Sequence, residues 1–463
     1  MNIILEQAKR KINRGLDEFW ERGDFSIDRA ERDLFSLCLE TVREMLGSIY
    51  EELDREILED KESRRGRLTV VRKNDPRSIL TVFGEVRYSR TYYKMASGGY
   101  EYPVDRYVGI DSHERLSYGT SVALVDCATY ESYSRTSDHV LNGNVSKQTV
   151  MNKLRTAQSR EKPDCDIKKR VPVIHIDADE DHVALQKGRN VQVPLVTVYE
   201  GVDRTTKRHK CINAFSISRY GMDTDSFWEL VSDEIEKRYD LSKTKVYLHG
   251  DGASWIQKGL EYLPRGSVFV LDRYHANKYI TESVAGLDEK DQGRYRRRIR
   301  DSFREDTSDE LSQIMLEMVS RYPDRAEKIV EGMGYLINFF DAIHIKIVDE
   351  EARCGSSEPH VQHVLSCRLS TNPMGWSEET LKHIVPLLAD KDFFLNKEPP
   401  ISESKNEVNG FSCAEVLRME RKLERKVIRH SLGMTDPDKC VYLPATYYKK
   451  TALSELLKDI SRI

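Results

Sequence analysis

The sequence predicts an α/β protein in which a mixed β-sheet domain follows helical and small β-rich regions and is interrupted by a helical insertion. Two observations support this prediction. Apolar strand patterns cluster between Val171 and Leu271, first one after another and then alternating with helical patterns, as in a mixed sheet. Between 286 and 350, apolar residues recur at three- and four-residue spacing, which predicts helices.

Changes of pattern divide the 463-residue chain into eight regions. Helical spacing comes first and alternating strands follow; far downstream, a stretch rich in Pro, Ser and Asn separates the sheet domain from a last helical stretch. The regions are an N-terminal helical region (1–62), a small β-rich unit (63–111), a helix-turn-helix-like region (112–160), a sheet core (168–285), the insertion (286–350), a last core helix with its following segment (351–392), a linker (393–410) and a C-terminal helical tail (411–463).

The helix-turn-helix-like region is a candidate for DNA binding. Ser146 is placed to cap a helix that follows the turn at 142–144, and Val150 and Leu154 of that helix would face inward. A recognition helix presents its N-terminal turns to base edges and phosphates. The outward residues would be Lys147, Gln148, Asn152 and Lys153. An ordinary helical hairpin with a polar outer face explains the same pattern equally well.

Composition excludes some classes of protein. Charged residues make up 32% and hydrophobic residues 39% of the chain, as in soluble proteins. No apolar run is long enough to cross a bilayer, and the first residues lack the pattern of a cleaved leader, so we expect a cytoplasmic protein. The eight cysteines form no Cys-x-x-Cys pair, which disfavours a zinc ribbon or a disulfide framework.

Local charge departs from the net charge of −4. The stretch from Lys290 to Arg304 carries seven basic residues against two acidic ones, which favours contact with a polyanion. The candidate DNA contacts in this stretch are Arg296, Arg297, Arg298 and Arg300. A solvated helix face is the usual alternative for such a run.

Three carboxylates stand at the ends of predicted elements. Asp179 and Asp251 each close an apolar strand, and Glu358 opens a helix far downstream. In a sheet with the predicted order, the first strand and the strand after the first helix are neighbours, so the two aspartates should converge. Carboxylates that converge call for a cation, and a hard divalent cation prefers oxygen ligands. We therefore interpret Asp179, Asp251 and Glu358 as catalytic and metal-binding residues for metal-assisted phosphoryl transfer.

The first of these positions is ambiguous. Asp177, Asp179 and Asp181 alternate, so one strand would carry all three on one face. We favour Asp179 because the apolar run ends there, and Asp177 is the alternative first carboxylate. Simple structural explanations also exist for Asp251 and Glu358. Gly-Asp-Gly is a common turn, and helix N-termini favour Glu for electrostatic reasons.

Further polar residues surround these carboxylates in the predicted fold. Asp272 and His275 follow another strand end, and Arg368 lies on the helix that Glu358 opens. We expect all three to support the site or to contact phosphate, although a strand-end histidine is more often simply packed.

Four ordered motifs resemble those of Lre-type bacterial insertion-sequence transposases, relatives of the Mutator-like DDE transposases. The motifs lie at 175–186, 248–256, 270–280 and 356–376, and Asp272-x-x-His275 matches the Asp/Cys-x-x-His signature of the Mutator-like enzymes. The resemblance covers most of the chain. It implies a ribonuclease-H-like catalytic domain with a helical insertion, and Mg²⁺, with Mn²⁺ as a substitute, at Asp179, Asp251 and Glu358.

The resemblance also implies an activity. Such a protein would bind double-stranded DNA at the terminal inverted repeats of its element, cut the 3′ ends and transfer them into target DNA, in association with the nucleoid. A homodimer or larger homo-oligomer is expected because two ends react together. The alternatives are a structure-selective nuclease without strand transfer and a domesticated DNA-binding protein that no longer cuts.

Overall fold

The computed structural model describes residues 2–23, 25–160, 167–205, 209–355, 357–371 and 374–395. It divides into two compact units, one containing Met1–Ala157 and the other Gln158–Phe393. The predicted linker (393–410) lies outside the described residues apart from its first three, which form a strand, and so does the whole predicted tail (411–463). None of the described helices is long and apolar enough to cross a membrane.

The first unit begins with helices that pack on a β-hairpin. The helices are α1 (Asn2–Arg22), α2 (Ile27–Glu59) and α3 (Lys61–Arg64), the strands are β1 (Leu68–Thr81), β2 (Gly84–Met95) and β3 (Tyr100–Glu101), and α4 (Pro103–Tyr107) follows. The three strands form one sheet in the order β1-β2-β3. Asp54 of α2 accepts hydrogen bonds from the backbone N–H and the hydroxyl of Thr91 on β2, at 2.9 and 2.6 Å. The predicted helical region and small β unit therefore belong to one structural unit.

Three short helices complete the first unit: α5 (Tyr118–Ala128), α6 (Tyr133–Leu141) and α7 (Lys147–Thr156). Asn142 ends α6 in the left-handed conformation (φ 51°), and Ser146 caps α7 by accepting the N–H of Thr149 at 3.1 Å. Val150 and Leu154 are fully buried against the other two helices. This arrangement matches the predicted helix, turn and helix.

The second unit is built around a five-stranded mixed sheet. After β4 (Ala157–Ser159), its strands are β5 (Val173–Ala184), β6 (Asn190–Tyr199), β9 (Phe215–Ser218), β10 (Lys245–Gly250) and β11 (Val268–Leu271), with the small β7 (Val202–Asp203) and β8 (Lys210–Cys211) ladder outside it. The order is β11-β10-β5-β6-β9. β6 pairs antiparallel with β5 and β9, whereas β10 runs parallel to β5 and β11. The predicted mixed sheet is thus present.

Helices cover the sheet and extend from it. They are α8 (Thr224–Glu236), α9 (Ser254–Lys258), α10 (Arg273–Val284), α11 (Glu289–Glu305), α12 (Ser308–Arg321), α13 (Ala326–Asn338), α14 (Phe340–Val348), α15 (Ser357–Val361), α16 (Cys367–Leu369) and α17 (Glu378–Ala389), followed by β12 (Phe393–Leu395). Phe227, Trp228 and Val231 of α8 pack on Ile174 and Ile176 of β5. Helices α11 to α14 form the predicted insertion and share an apolar core with α10.

Candidate metal centre and nucleic-acid contacts

Asp179 and Asp251 lie at neighbouring positions of adjacent strands. Lys245 pairs with Val173 and His249 pairs with Asp177 in the parallel β5–β10 ladder. Continuing this register two residues beyond His249 sets Asp251 opposite Asp179. Asp251 follows the end of β10, but Asp179 lies within β5 and pairs with Leu195 of β6, so the prediction that Asp179 closes its strand is wrong. Both residues are half-buried. The structure therefore brings together two of the three predicted carboxylates.

The backbone around Asp251 is shaped by glycine. Gly252 has φ +86°, and a Cβ at this residue would lie 2.4 Å from the ring of Phe339, so a larger residue would not fit. The Oδ1 of Asp251 accepts the N–H of Ala253 at 2.8 Å, and the hydroxyl of Tyr335 donates to its carbonyl. Both Tyr335 and Phe339 come from the region of the insertion, which thereby fixes the loop that carries Asp251.

Asp272 and His275 stand beside these two carboxylates. Gly250 pairs with Leu271 in the β10–β11 ladder, so Asp272 follows β11 as Asp251 follows β10. Asp272 caps α10, and its Oδ2 lies 2.7 Å from the Nδ1 of His275. The hydrogen bond to Asp272 raises the pKa of His275, burial opposes the rise, and the charges of Asp272, Asp251 and Asp179 add to it. His275 therefore responds electrostatically to the whole group of carboxylates.

Asp177, the alternative first carboxylate, is enclosed. It is 2% exposed; its Oδ1 accepts the hydroxyl of Tyr199 at 3.1 Å, and its Oδ2 lies 3.5 Å from the Nε2 of His360. Beneath it, the Nδ1 of His175 lies 3.1 Å from the Nε2 of His249. Burial lowers the pKa of His175 to about 4 and that of His249 well below its usual value. His175 and His249 are therefore neutral near pH 7, and together with Asp177 they form a buried polar layer.

Sequence reasoning missed several members of this layer. His360 is two residues beyond Glu358, but its contact with Asp177 joins distant parts of the chain. Lys346 on α14 has a buried Nζ without a hydrogen-bond partner among the described residues. Burial lowers the pKa of Lys346, while the charges of Asp272 and Asp177 raise it. No local pattern distinguishes these residues from ordinary helix residues.

Glu358 lies in the first turn of α15, and its side chain is outside the described residues. The backbone of α15 packs along β5, the strand of Asp179. A π-helical turn, Gln362–Ser366, follows α15, and such turns occur often at functional sites. The third predicted carboxylate is therefore carried by a helix that lies against the strand of the first.

Arg368 is enclosed within the second unit, and its support of the site or contact with phosphate stays a prediction. Arg368 is 6% exposed, and its guanidinium lies 4.6 Å from the ring centroid of Trp376. Its Nη1 also lies 3.4 Å from the sulfur of Met374. Stacking on an indole stabilises a guanidinium while excluding solvent, so packing is one role of this arginine.

The oxygen donors at this edge suit a hard divalent cation. Asp251 has no Lys or Arg partner within the described ranges, so no side-chain cation neutralises it. Among the described residues, one group of three possible ligand atoms lies within 4.8 Å of one another, and it is Cys127, Glu131 and His139 of the first unit. There the Nδ1 of His139 is 2.6 Å from Glu131, a hydrogen-bonding distance.

On α7, the structure exposes three of the four predicted DNA contacts. Lys147, Gln148 and Asn152 are exposed, and the amide of Gln148 donates to Asn152 at 2.8 Å. Lys153 is half-buried and paired with Glu114 at 3.1 Å. Lys153 is therefore partly exposed and held by a neighbouring acid, which makes it a weaker candidate for DNA contact than the other three.

On α11, the four predicted arginines differ in the same way. Arg297 and Arg300 are exposed, and Arg296 is half-buried. Arg298 pairs with Glu310 at 2.6 Å and with Glu317, both on α12. Arg298 therefore joins two helices of the insertion, and Arg297 and Arg300 are the better candidates for phosphate contact.

Comparison with known proteins identifies relatives over most of the chain. A family model described as "Uncharacterised protein family (UPF0236)" matches residues 21–393. A UPF0236 protein of Caldanaerobacter subterraneus subsp. tengcongensis, whose name joins eleven locus numbers, is 38% identical over 393 residues, 83% of this chain and 82% of its own. A second UPF0236 protein of that organism, whose name joins four locus numbers, is 38% identical over 350 residues, which are 74% of this chain and 73% of its own. The "UPF0236 protein in vanSb 3'region" of Streptococcus gallolyticus is 26% identical over 329 residues, 68% and 72% of the two chains.

Proposed function

The chain belongs to the uncharacterised protein family UPF0236, and we propose that it is a metal-dependent DNA transposase of the DDE type. In this proposal it binds the terminal inverted repeats of an insertion sequence, cleaves their 3′ ends and transfers them into target DNA. The observation that carries the proposal is the position of Asp179 on β5 and of Asp251 directly after the end of β10, the parallel neighbour of β5. Paired carboxylates at such an edge are suited to metal-assisted phosphoryl transfer.

The sheet order supports a ribonuclease-H-like core. The first strand, β5, is central; β6 and β9 extend the sheet antiparallel on one side, and β10 and β11 extend it parallel on the other. This is the order that the sequence pattern predicts for such a core. It also accounts for the convergence of the carboxylates, since β5 and β10 are direct neighbours.

Each residue has a role in this proposal. Asp179, Asp251 and Glu358 would hold Mg²⁺, which supplies activation of the attacking oxygen and stabilisation of the leaving one. Asp272 orients His275 through the 2.7 Å bond to Nδ1, and the Nε2 of His275 has no partner among the described residues. With its pKa raised by Asp272, His275 can carry a proton and donate from Nε2 to a phosphate oxygen.

The names of the relatives favour transposition over the two alternatives. One name joins eleven loci of a single organism, and another joins four. A sequence that copies itself would be found at many loci of one genome, whereas a structure-selective nuclease or a domesticated DNA-binding protein needs a single copy. Strand transfer therefore accounts for the many loci of the relatives, which metal-dependent cleavage alone does not.

The decisive experiment separates cleavage, strand transfer and binding. Purified protein is incubated with Mg²⁺ and DNA from the boundaries of its gene, either intact or pre-cut to expose 3′ hydroxyls, together with a target plasmid. We expect cleavage of the intact ends and joining of the pre-cut ends. Asp251→Asn should abolish both reactions while leaving binding of the ends intact, because Oδ1 can still accept the N–H of Ala253.

A matched control lies at the other end of β10. Asp240 accepts the N–H of Ser242 at 3.2 Å, a similar local bond, but it precedes the strand instead of following it. Asp240→Asn should therefore retain both reactions. Cleavage without joining of pre-cut ends would favour the nuclease, and full activity of Asp251→Asn would overturn the proposal.

A further inference from the structure

A groove in the first unit is lined by arginines. Its volume is about 940 Å³, and its walls come from α2, the β1–β2 hairpin, the segment before α5 and the turn between α6 and α7. We call it the arginine groove, after Arg43, Arg77, Arg90 and Arg115. All of its lining residues belong to the first unit, so it is complete within that unit.

Two of these arginines lack an acidic partner. Neither Arg43 nor Arg115 makes an ion pair or a side-chain hydrogen bond within the described part of the chain. Arg43 is half-buried and lies over Gly84, where an added Cβ would be 2.8 Å from its Nη1. Arg115 is exposed. A half-buried guanidinium without a counter-charge is costly unless a ligand supplies one.

The other two arginines are held in place by the protein. Arg77 donates from Nη2 to the carbonyls of Asp111, at 3.4 Å, and Glu114, while its Nε is buried without a partner. Arg90 pairs with Asp105 and lies over the ring of Tyr102. Burial and the nearby charge of Arg77 lower the pKa of Arg90, as expected where like charges are crowded.

The one acidic side chain that lines the groove does not neutralise these cations. The carboxylate of Glu85 is bonded to Arg87 of the same strand, at 3.1 and 2.7 Å. The groove therefore has an excess of positive charge and open donors, which is the chemistry that recognises phosphate.

The position of the groove indicates which phosphate it takes. Asn142, Asn144, Ser146 and Thr149 form one wall, and they belong to the turn before α7 and to its first residues. The exposed Lys147 and Gln148 follow on the same helix. In helix-turn-helix complexes, phosphates flank the groove that the second helix enters, and contacts to them set the register on the duplex.

We propose that the arginine groove binds the phosphodiester backbone of DNA beside α7, with Arg43 and Arg115 as the phosphate contacts. The β1–β2 hairpin and α7 then form one DNA-binding surface, in which the hairpin positions the duplex and α7 reads it. This inference rests on the proposed function, because it assumes that the first unit binds DNA.

The test compares charge-removing variants by equilibrium DNA binding over a series of salt concentrations. Fluorescence anisotropy is measured with a duplex that carries the gene's terminal repeat and with a scrambled duplex. The slope of log affinity against log salt is negative, and each lost phosphate contact reduces its magnitude by about 1. The double variant Arg43→Gln/Arg115→Gln should therefore reduce this magnitude by about 2. Affinity for both duplexes should fall by a similar factor, on the order of tenfold or more at moderate salt.

Matched controls make the result specific. Arg14 of α1 is exposed and has no partner among the described residues, so Arg14→Gln removes the same charge elsewhere and should change the slope little. Arg115→Gln alone changes an exposed side chain, so it tests the groove, with an expected slope change of about 1, even if the double variant folds poorly.

The outcomes separate the two proposals. If wild type cuts and joins ends but the groove variants bind DNA with the wild-type slope, the groove proposal is wrong and the proposed function stands. Inorganic phosphate could instead raise the melting temperature of the wild-type protein while the groove variants keep the wild-type salt dependence of DNA binding. The groove would then be a site for small anions, and the groove proposal would be wrong. If the wild-type protein binds neither duplex, both proposals fail.

Discussion

Three carboxylates share one face of β5, yet the structure places them in different surroundings. Asp177 is 2% exposed and Asp181 is 7% exposed. Both meet side chains from the helical segment that begins at α15, since His360 faces Asp177 and Ser370 donates to Asp181 at 3.0 Å. Asp179, between them, is half-buried and stands beside Asp251. The alternation of a strand gives residues a common face, but the elements packed on that face decide what each can bind.

The largest expected effect concerns the middle carboxylate. Asp179→Asn should reduce Mg²⁺-dependent cleavage by about a thousandfold or more, because loss of a ligand charge removes several kcal/mol of transition-state stabilisation. Folding should be little changed, since the amide oxygen can still accept the N–H of Glu180. Cleavage rates and melting temperature measure the two effects. Near wild-type cleavage would instead make Asp177 the first ligand.

Asp177 should affect stability more than catalysis. Asp177→Ala leaves the hydroxyl of Tyr199 without its acceptor in a buried site, at a cost of about 1–3 kcal/mol in the free energy of unfolding. Asp177→Asn keeps an acceptor oxygen and should cost less. Urea unfolding and cleavage are measured for both variants. If Asp177→Asn loses cleavage while its free energy of unfolding is unchanged, the contrast between Asp177 and Asp179 is wrong.

The bond between His275 and Asp272 should make stability depend on pH. The pKa of His275 is raised in the folded protein. Its contribution to the free energy of unfolding is therefore complete below the usual pKa of 6.5 and is lost as pH rises through the raised pKa. Burial would raise the pKa of Asp272, but the bond to His275 holds this pKa below its usual 3.8. The contribution of Asp272 to the free energy of unfolding is therefore present above pH 3.8 and is lost as pH falls through the lowered pKa.

The pair is therefore strongest between pH 3.8 and 6.5. The difference in unfolding free energy between wild type and His275→Gln should be larger at about pH 5 than at about pH 9, by urea unfolding at each pH. A difference that does not vary with pH would show that the imidazole remains neutral in the folded protein.

Sequence patterns predict the edge of the sheet better than the layer beneath it. The ends of apolar runs at Asp179 and Asp251 are local features, and the order of strands and helices then makes the two strands neighbours. The contact of Ser370 with Asp181 joins residues 189 positions apart and leaves no local signal. Arg368 shows a further limit, because its charge alone does not predict that its guanidinium stacks on Trp376.

The same limit applies to charge runs. On α11 the run of arginines predicts a single basic face, but Arg298 is taken up by two acids of α12. On α7, Lys153 is held by Glu114. The partners come from other elements, so the sequence of one helix does not reveal which of its cations are already paired.

The smallest expected effect tests Asp181, the third carboxylate of the face. Ser370→Ala removes a hydroxyl that lies 3.0 Å from both carboxylate oxygens, so the free energy of unfolding should fall by about 1 kcal/mol. Cleavage should be unchanged, because Asp181 is held within the protein, two residues further along β5 than Asp179. Ser370→Thr keeps the hydroxyl and is the matched control. A loss of cleavage in Ser370→Ala at unchanged stability would extend the metal centre to Asp181, and the contrast between the edge of β5 and its covered part would no longer hold.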